Sequence, residues 1–124
     1  MTLLLDTHVA LWAITGDATL GAELLDQLRH EPDIFLSPVS LWEITMKQSA
    51  GKLGGPSDIA ERVRGMSFRE LPVTHAHVIA AGRLPPHHRD PFDRMLVAQA
   101  ISEGLTLATR DASIPLYEVD VLKV

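Results

Sequence analysis

Short apolar runs along the chain predict the strands of a sheet. Apolar runs that end at polar or turn-forming residues are typical of buried strands. Such runs lie at 2–5, 34–36, 105–109 and 119–122. A further run at 68–73 contains Pro72, which cannot donate to a strand ladder. We therefore expect this strand at or near an edge of the sheet.

Between these runs, apolar residues recur at helical spacing. Helices are predicted at 7–14, from 19 or 21 to 28, and at 38–50, 59–66, 75–81 and 91–103. His75 and His77 point to different faces of the fifth helix, so we interpret both as ordinary polar residues of the surface or the core edge. Because strands and helices alternate throughout, we expect an α/β fold with a parallel sheet and right-handed crossovers.

The helix predicted to begin at Pro91 carries the most unusual residue of this pattern. Asp90 suits the N-cap, Pro91 suits the first helical position, and Gly104 suits the left-handed position after the helix. The residues between them are apolar on nearly every side, which predicts a buried helix. Asp93 brings a carboxylate into this helix, and a carboxylate entering a core needs a partner.

Further acids lie near the ends of predicted elements. Asp6 and Asp111 follow predicted strands, and Glu43 lies between apolar neighbours in the third helix. Each has an ordinary structural interpretation. Asp6 can cap a helix, and Asp111 can serve as a turn or cap residue. Glu43 can form a capping box with Ser40 or an i,i+4 pair with Lys47.

The joint placement of the four acids indicates a metal site. The strands before Asp6 and Asp111 end at one edge of a parallel sheet, and the connections bring Asp93 and Glu43 to that edge. Carboxylates this close repel one another unless a cation is present. Oxygen ligands suit Mg²⁺ or Mn²⁺, and Mg²⁺ often binds substrate phosphates as well. The pattern therefore predicts phosphodiester hydrolysis by a water that the metal activates for in-line attack.

Composition restricts the class of protein. A chain of 124 residues is long enough for one domain with a real core. No apolar run approaches the ~20 residues of a membrane-spanning helix, and the first residues lack a secretion signal. The absence of cysteine excludes disulfides and thiolate metal sites. We therefore expect a cytoplasmic protein.

Charge is acidic overall but basic in one segment. The formal net charge of −5 disfavours non-specific nucleic-acid binding through the global field. Basic residues nevertheless concentrate between 83 and 94, and they lead directly into Asp93. We interpret His88, Arg89 and their neighbours as a basic rim that contacts phosphates, and the alternative is a polar loop. Adjacent histidines without a third nitrogen ligand do not predict zinc.

Several ordered motifs resemble those of the PIN-domain ribonucleases, and most of all the VapC toxins of bacterial toxin–antitoxin pairs. The motifs are Leu3–His8, Ser37–Ile44, His88–Arg94 and Leu107–Asp111. The resemblance covers the whole chain. It implies a single three-layer α/β/α domain over residues 1–124 and a Mg²⁺- or Mn²⁺-dependent endoribonuclease activity. It also implies a homodimer and inhibition by a cognate antitoxin.

The resemblance also assigns roles to residues. It implies that the catalytic and metal-binding acids are Asp6, Glu43, Asp93 and Asp111, with Asp6 and Asp93 as the main ligands. Thr7 and Arg94 are candidates for orienting a ligand or a substrate phosphate. Together with His88 and Arg89 of the basic rim, they make up the predicted substrate-binding set.

Two other functions compete for a chain of this class. A phospho-acceptor receiver domain requires an acceptor aspartate after a mid-chain strand and a late buried lysine. Here the middle of the chain offers only the loop residue Asp58, and the only late lysine is Lys123, so the sequence argues against this function. A PIN-like module that binds partners without catalysis is disfavoured because all four acids are present.

Overall fold

The sheet is parallel throughout, and its strands follow the order β3-β2-β1-β4-β5. It belongs to a computed structural model that describes residues 2–124. The strands are β1 Leu3–Leu5, β2 Ile34–Leu36, β3 Arg69–Glu70, β4 Thr106–Thr109 and β5 Val121–Lys123. The predicted α/β class with a parallel sheet is confirmed.

Helices connect the strands. They are α1 Thr7–Thr15, α2 Ala22–His30, α3 Pro38–Ser49, α4 Ile59–Arg64, α5 His75–Arg83 and α6 Pro91–Glu103, with short 3₁₀ turns at Ala18–Leu20 and Ile114–Leu116. Within residues 2–124, none of these helices combines the length and the hydropathy needed to cross a membrane.

Side chains of the central strand β1 alternate between two cores, because successive residues of a strand point to opposite faces of the sheet. Leu3 and Leu5 pack with apolar residues of α1 to α4. Leu4 packs on the other face with Leu96 and Val97 of α6, and α5 in turn packs against α6. Helices therefore cover both faces of the sheet, which confirms the three-layer α/β/α arrangement.

The strand order changes direction between β1 and β4. From β1 the chain builds outward through β2 and β3, whereas β4 and β5 lie on the other side. In open α/β sheets, ligands bind outside the carboxyl ends of the strands at such a switch point. Asp6 follows β1 directly, and Asp111 lies two residues after β4. The topology thus positions both acids at the expected place for a site.

Side-chain caps begin helices α3 and α6, and a glycine ends α6. The Asp90 carboxylate accepts hydrogen bonds from the backbone N–H groups of Phe92 and Asp93, and Gly104 adopts φ +67° after α6. The Ser37 hydroxyl caps α3 by accepting from Val39 N–H. The capping and termination expected for α6 are therefore present.

Some predicted elements differ from the structure. The run 68–73 forms a ladder only at Arg69–Glu70. This short strand lies at the sheet edge and pairs with β2 alone. The edge position itself was expected from Pro72. The last strand begins at Val121 rather than at residue 119.

Of the two positions expected for His77, the surface and the edge of the core, the structure excludes the surface. The His77 side chain is 1% exposed and joins α5 to α6. The Thr74 N–H donates to His77 Nδ1, and His77 Nε2 lies 2.8 Å from the Glu103 carboxylate. Both ring nitrogens thus have partners, which is the condition for burying an imidazole.

Candidate metal centre

The four acids singled out in the sequence line one pocket of about 470 Å³ at the carboxyl edge of the sheet. Asp6 and Asp111 reach it from the ends of β1 and β4. Asp93 comes from the first turn of α6, and Glu43 comes from the middle of α3. Segments far apart in the chain therefore contribute carboxylates to one place.

Asp6 is held rigidly. Its Oδ1 accepts a hydrogen bond of 2.8 Å from Val9 N–H, which makes it the N-cap of α1, and its Oδ2 accepts from the Thr109 hydroxyl. The residue is 4% exposed. Burial raises the pKa of Asp6, although the bonds from Thr109 and Val9 oppose this rise. The cap interpretation of Asp6 holds, and the same carboxylate also lines the pocket.

Glu43 already has partners for both oxygens. The Thr7 hydroxyl donates to Oε1 at 2.6 Å, and Lys47 Nζ lies 2.5 Å from Oε2. Lys47 keeps its charge, because the hydrogen bond with Glu43 raises its pKa. The i,i+4 pair is therefore present. The capping box with Ser40 is absent, since Ser37 caps α3 and Ser40 lies inside the helix.

Asp93 holds its proton more tightly than an ordinary aspartate. Burial, followed by repulsion from the carboxylates of Asp90 and Glu43, raises the pKa of Asp93 to about 7. Nε2 of the His88 imidazole lies 3.2 Å from Asp93 Oδ2. The carboxylate therefore sits where a negative charge is poorly compensated.

His88 links two of the acids. The backbone N–H of Asp90 donates to Nδ1 at 3.0 Å, so Nδ1 carries no proton and Nε2–H is the donor. Nε2 donates to Asp111 Oδ2 at 2.8 Å. Burial acts to raise the pKa of Asp111, but the bonds from His88 and from the backbone N–H of Ser113 outweigh it and lower the pKa.

The donor set fits a cation. One carboxylate oxygen each from Asp93 and Asp111 and Nε2 of His88 lie within 4.8 Å of one another. Asp6 and Asp93, with raised pKa values, gain most from a nearby positive charge. Because His88 uses Nε2–H as a donor, the carboxylate oxygens are the better ligands. A group of side chains that could hold a cation therefore lies at this edge.

The predicted substrate-binding residues differ in their surroundings. His88 lines the pocket, and Arg89 is exposed beside it. Thr7 is buried and its hydroxyl contacts Glu43. The guanidinium of Arg94 donates to backbone carbonyls of the preceding segment, namely those of Ala81, Leu84, Pro85 and His88. Contacts of these residues with a substrate remain predictions, and Arg94 also organises the loop.

The sequence analysis missed several residues of the pocket. His8 and Trp12 reach it from α1, and Arg110 reaches it from the end of β4. Two signals in the sequence were available. His8 and Trp12 are spaced i,i+4 on the helix that Asp6 caps, and Arg110 directly precedes Asp111.

Comparison with known proteins places this architecture among described families. The family model for the PIN domain matches residues 3–122. The chain is 29% identical over 117 residues to ribonuclease VapC22 of Mycobacterium tuberculosis, a match that covers 89% of this chain and 87% of that protein.

Solved structures share the fold. VapBC2 of Rickettsia felis, bound to a DNA fragment from its promoter, gives a TM-score of 0.75 at 16% identity, covering 99% of this chain and 98% of that one. FitAcB of Neisseria gonorrhoeae gives 0.71 at 22% identity, covering 98% and 97%. VapC20 of Mycobacterium tuberculosis, a toxin that cleaves the sarcin–ricin loop, gives 0.68 at 17% identity, covering 99% and 100%.

Proposed function

The chain belongs to the PIN domain family, and from this premise we propose that it is a metal-dependent endoribonuclease acting as the toxin of a toxin–antitoxin pair. One observation carries the proposal: carboxylates from four distant segments line a single pocket at the switch point of the sheet. The similarity to ribonuclease VapC22 supports an RNA substrate.

In this proposal the acids hold a divalent ion. Asp6 and Asp93 are the main ligands, and Asp111 and Glu43 complete the set. Mg²⁺ or Mn²⁺ suits these ligands because the donors are oxygens. Such an ion, when bound, polarises a phosphate and lowers the pKa of a water that attacks it.

Neighbouring residues of the chain orient the acids. Thr109 fixes one oxygen of Asp6, and the N-terminus of α1 fixes the other. Thr7 and Lys47 hold the two oxygens of Glu43, so an ion at Glu43 would share this carboxylate with the Lys47 ammonium. Lys47 itself lines the pocket and would add a positive charge beside a bound phosphate. His88 holds Asp111 through Nε2–H.

The biological context of the proposal is a cytoplasmic protein with a cognate antitoxin and a second copy of itself as partners. Several similar structures are described as toxin–antitoxin or VapBC complexes, which supports an antitoxin partner. Met46 and Leu116 are large apolar side chains that are 50% and 62% exposed. Single exposed apolar side chains are ordinary on protein surfaces, so the second copy as a partner rests on the family resemblance.

The second candidate is a PIN module that binds partners without catalysis. The experiment that separates the two measures cleavage of RNA with Mg²⁺ and with a chelator, for the wild type, Asp93→Asn and Asp26→Asn. Asp26 is the matched control because its side chain is 78% exposed on α2. We expect Mg²⁺-dependent cleavage that Asp93→Asn abolishes and Asp26→Asn retains. Wild type without Mg²⁺-dependent cleavage, or Asp93→Asn with full activity, contradicts the proposal.

A further inference from the structure

The pocket has an aromatic wall that metal binding does not explain. Part of the Trp12 side chain packs against the apolar core, while the residue also lines the pocket. The imidazole of His8 lies beside it, with ring centroids 6.0 Å apart and planes tilted by 43°. An indole ring does not ligate a divalent cation, so ion binding alone does not account for Trp12 in the lining of the pocket.

A fixed cation lies next to this aromatic wall. The guanidinium of Arg110 is 5.2 Å from the centroid of the Trp12 ring. Its Nε donates to the backbone carbonyl of Val124 at 2.7 Å, which restricts the position of the guanidinium. Arg110 is exposed and lines the same pocket as the acids. The pocket therefore has an aromatic and a cationic side chain in contact with each other, in addition to its acids.

The size of the pocket leaves room for more than an ion. A divalent ion with six oxygen neighbours occupies roughly 200 Å³ if each oxygen takes the ~30 Å³ share of a water. The pocket measures about 470 Å³. Trp12, His8 and Arg110 are among the residues that line the pocket, and such groups stack on flat rings and bind phosphates.

We propose that Trp12 and Arg110 form a nucleobase subsite beside the acids. An unpaired base of the RNA stacks on the part of the Trp12 ring that faces the pocket, and the Arg110 guanidinium binds a neighbouring phosphate. Stacking on aromatic rings together with cationic contacts is how proteins hold single-stranded RNA. This inference rests on the proposed endoribonuclease function and adds the substrate contact that positions the strand.

The fluorescence of Trp12 tests the subsite directly. The chain has two tryptophans, and Trp42 is 59% exposed outside the pocket, so Trp42→Phe makes Trp12 the single reporter. UMP and AMP are the probes, since they have no phosphodiester bond and can be titrated with Mg²⁺ present. We expect saturable quenching by both nucleotides and none by ribose 5-phosphate. In the converse variant, Trp12→Phe, the remaining Trp42 should not be quenched.

Kinetics provide the second measurement. Trp12→Leu keeps an apolar side chain for the core, and we expect it to raise KM for RNA about ten-fold, within the range for loss of one stacked base. Trp12→Phe should restore most of the affinity because it restores a ring. A KM for Trp12→Leu within about two-fold of the wild-type value contradicts the subsite, whatever the fluorescence shows.

The two proposals fail in different ways. If Trp42→Phe cleaves RNA with Mg²⁺ but nucleotides do not quench Trp12, the subsite is overturned and the nuclease function stands. If nucleotides quench Trp12 saturably but no Mg²⁺-dependent cleavage is found, the subsite stands and the nuclease function is overturned. Equal quenching by ribose 5-phosphate also overturns the subsite, because that probe carries no base.

Discussion

The hydroxyl of Thr109 donates a hydrogen bond to the carboxylate of Asp6, across 103 residues of sequence. The same hydroxyl oxygen accepts from the backbone N–H of Asp111 at 3.0 Å. Thr109 is 1% exposed, so its hydroxyl is shielded from water and bonds only within the protein. One buried side chain therefore ties the ends of β1 and β4 together at the site.

Replacing Thr109 by Val removes this link while keeping the shape of the side chain. We expect the free energy of unfolding to fall by about 1–3 kcal/mol, because a buried acceptor and a buried donor lose their partner. The pKa of Asp6, which burial already raises, should rise further. Urea unfolding measures the first effect, and Thr109→Ser is the control because it keeps the hydroxyl. Equal losses in the Val and Ser variants would show that packing, not the hydrogen bond, matters.

Asp93 should make the metal-free protein less stable as pH rises. Its folded-state pKa is about 7 and its ordinary value is 3.8, so the folded protein holds the proton more tightly than the unfolded chain does. Stability contributed by the protonated form is present below about pH 4 and is lost as pH rises through 7.

The variant Asp93→Asn isolates this effect. At pH 8 in a chelator, we expect its free energy of unfolding to exceed that of the wild type by about 1–2 kcal/mol. Its melting temperature should rise accordingly. The difference should vanish near pH 4, and Mg²⁺ should narrow it at pH 8 by stabilising only the wild type. A variant that is less stable than the wild type at pH 8 in a chelator contradicts the assignment.

Lys47 pairs with Glu43, one of the acids proposed to hold the ion. Lys47→Met leaves the buried Glu43 carboxylate without its counter-ion, so we expect a lower melting temperature in a chelator. The same variant should bind Mg²⁺ several-fold more tightly, since a positive charge has left the pocket. Isothermal titration calorimetry measures the affinity, and the exposed Lys123→Met serves as the control. Weaker Mg²⁺ binding by Lys47→Met would mean that Lys47 supports the site rather than opposing the ion.

Substitutions of Arg94 and Arg89 distinguish a role in stabilising the fold from a role in binding substrate. Arg94 donates to four backbone carbonyls around the loop before α6, so Arg94→Met should cost about 2–3 kcal/mol of stability. Arg94→Lys should rescue little, because an ammonium cannot reproduce the planar fork. Arg89→Met should leave the melting temperature unchanged and reduce the salt dependence of RNA binding by about one phosphate contact.

Other outcomes would change the roles assigned to these two arginines. If Arg94→Met melts like the wild type and only RNA binding suffers, the substrate role expected from the sequence is the main one. If Arg89→Met leaves RNA binding unchanged at every salt concentration, the predicted basic rim does not include Arg89.

The ends of helix α6 could be predicted from the sequence alone. Asp90, Pro91 and Gly104 set the ends of α6, because capping and left-handed termination involve neighbours within one turn. The alternation of strands and helices also indicated a parallel sheet. Together with the motif order, this was enough to select four of the five acids that line the pocket, whose role as metal ligands stays a prediction. The fifth acid is Asp90, the cap of α6.

Tertiary structure alone decided the partners of polar side chains that meet across distant segments of the chain. Nothing within a few residues of Thr109 points to Asp6, and nothing near Arg94 in the sequence separates a phosphate ligand from loop carbonyls. His77 looked like a surface residue until α6 supplied Glu103. The physical reason is that periodicity fixes the face on which a side chain lies, whereas the crossovers of the sheet determine what lies opposite that face.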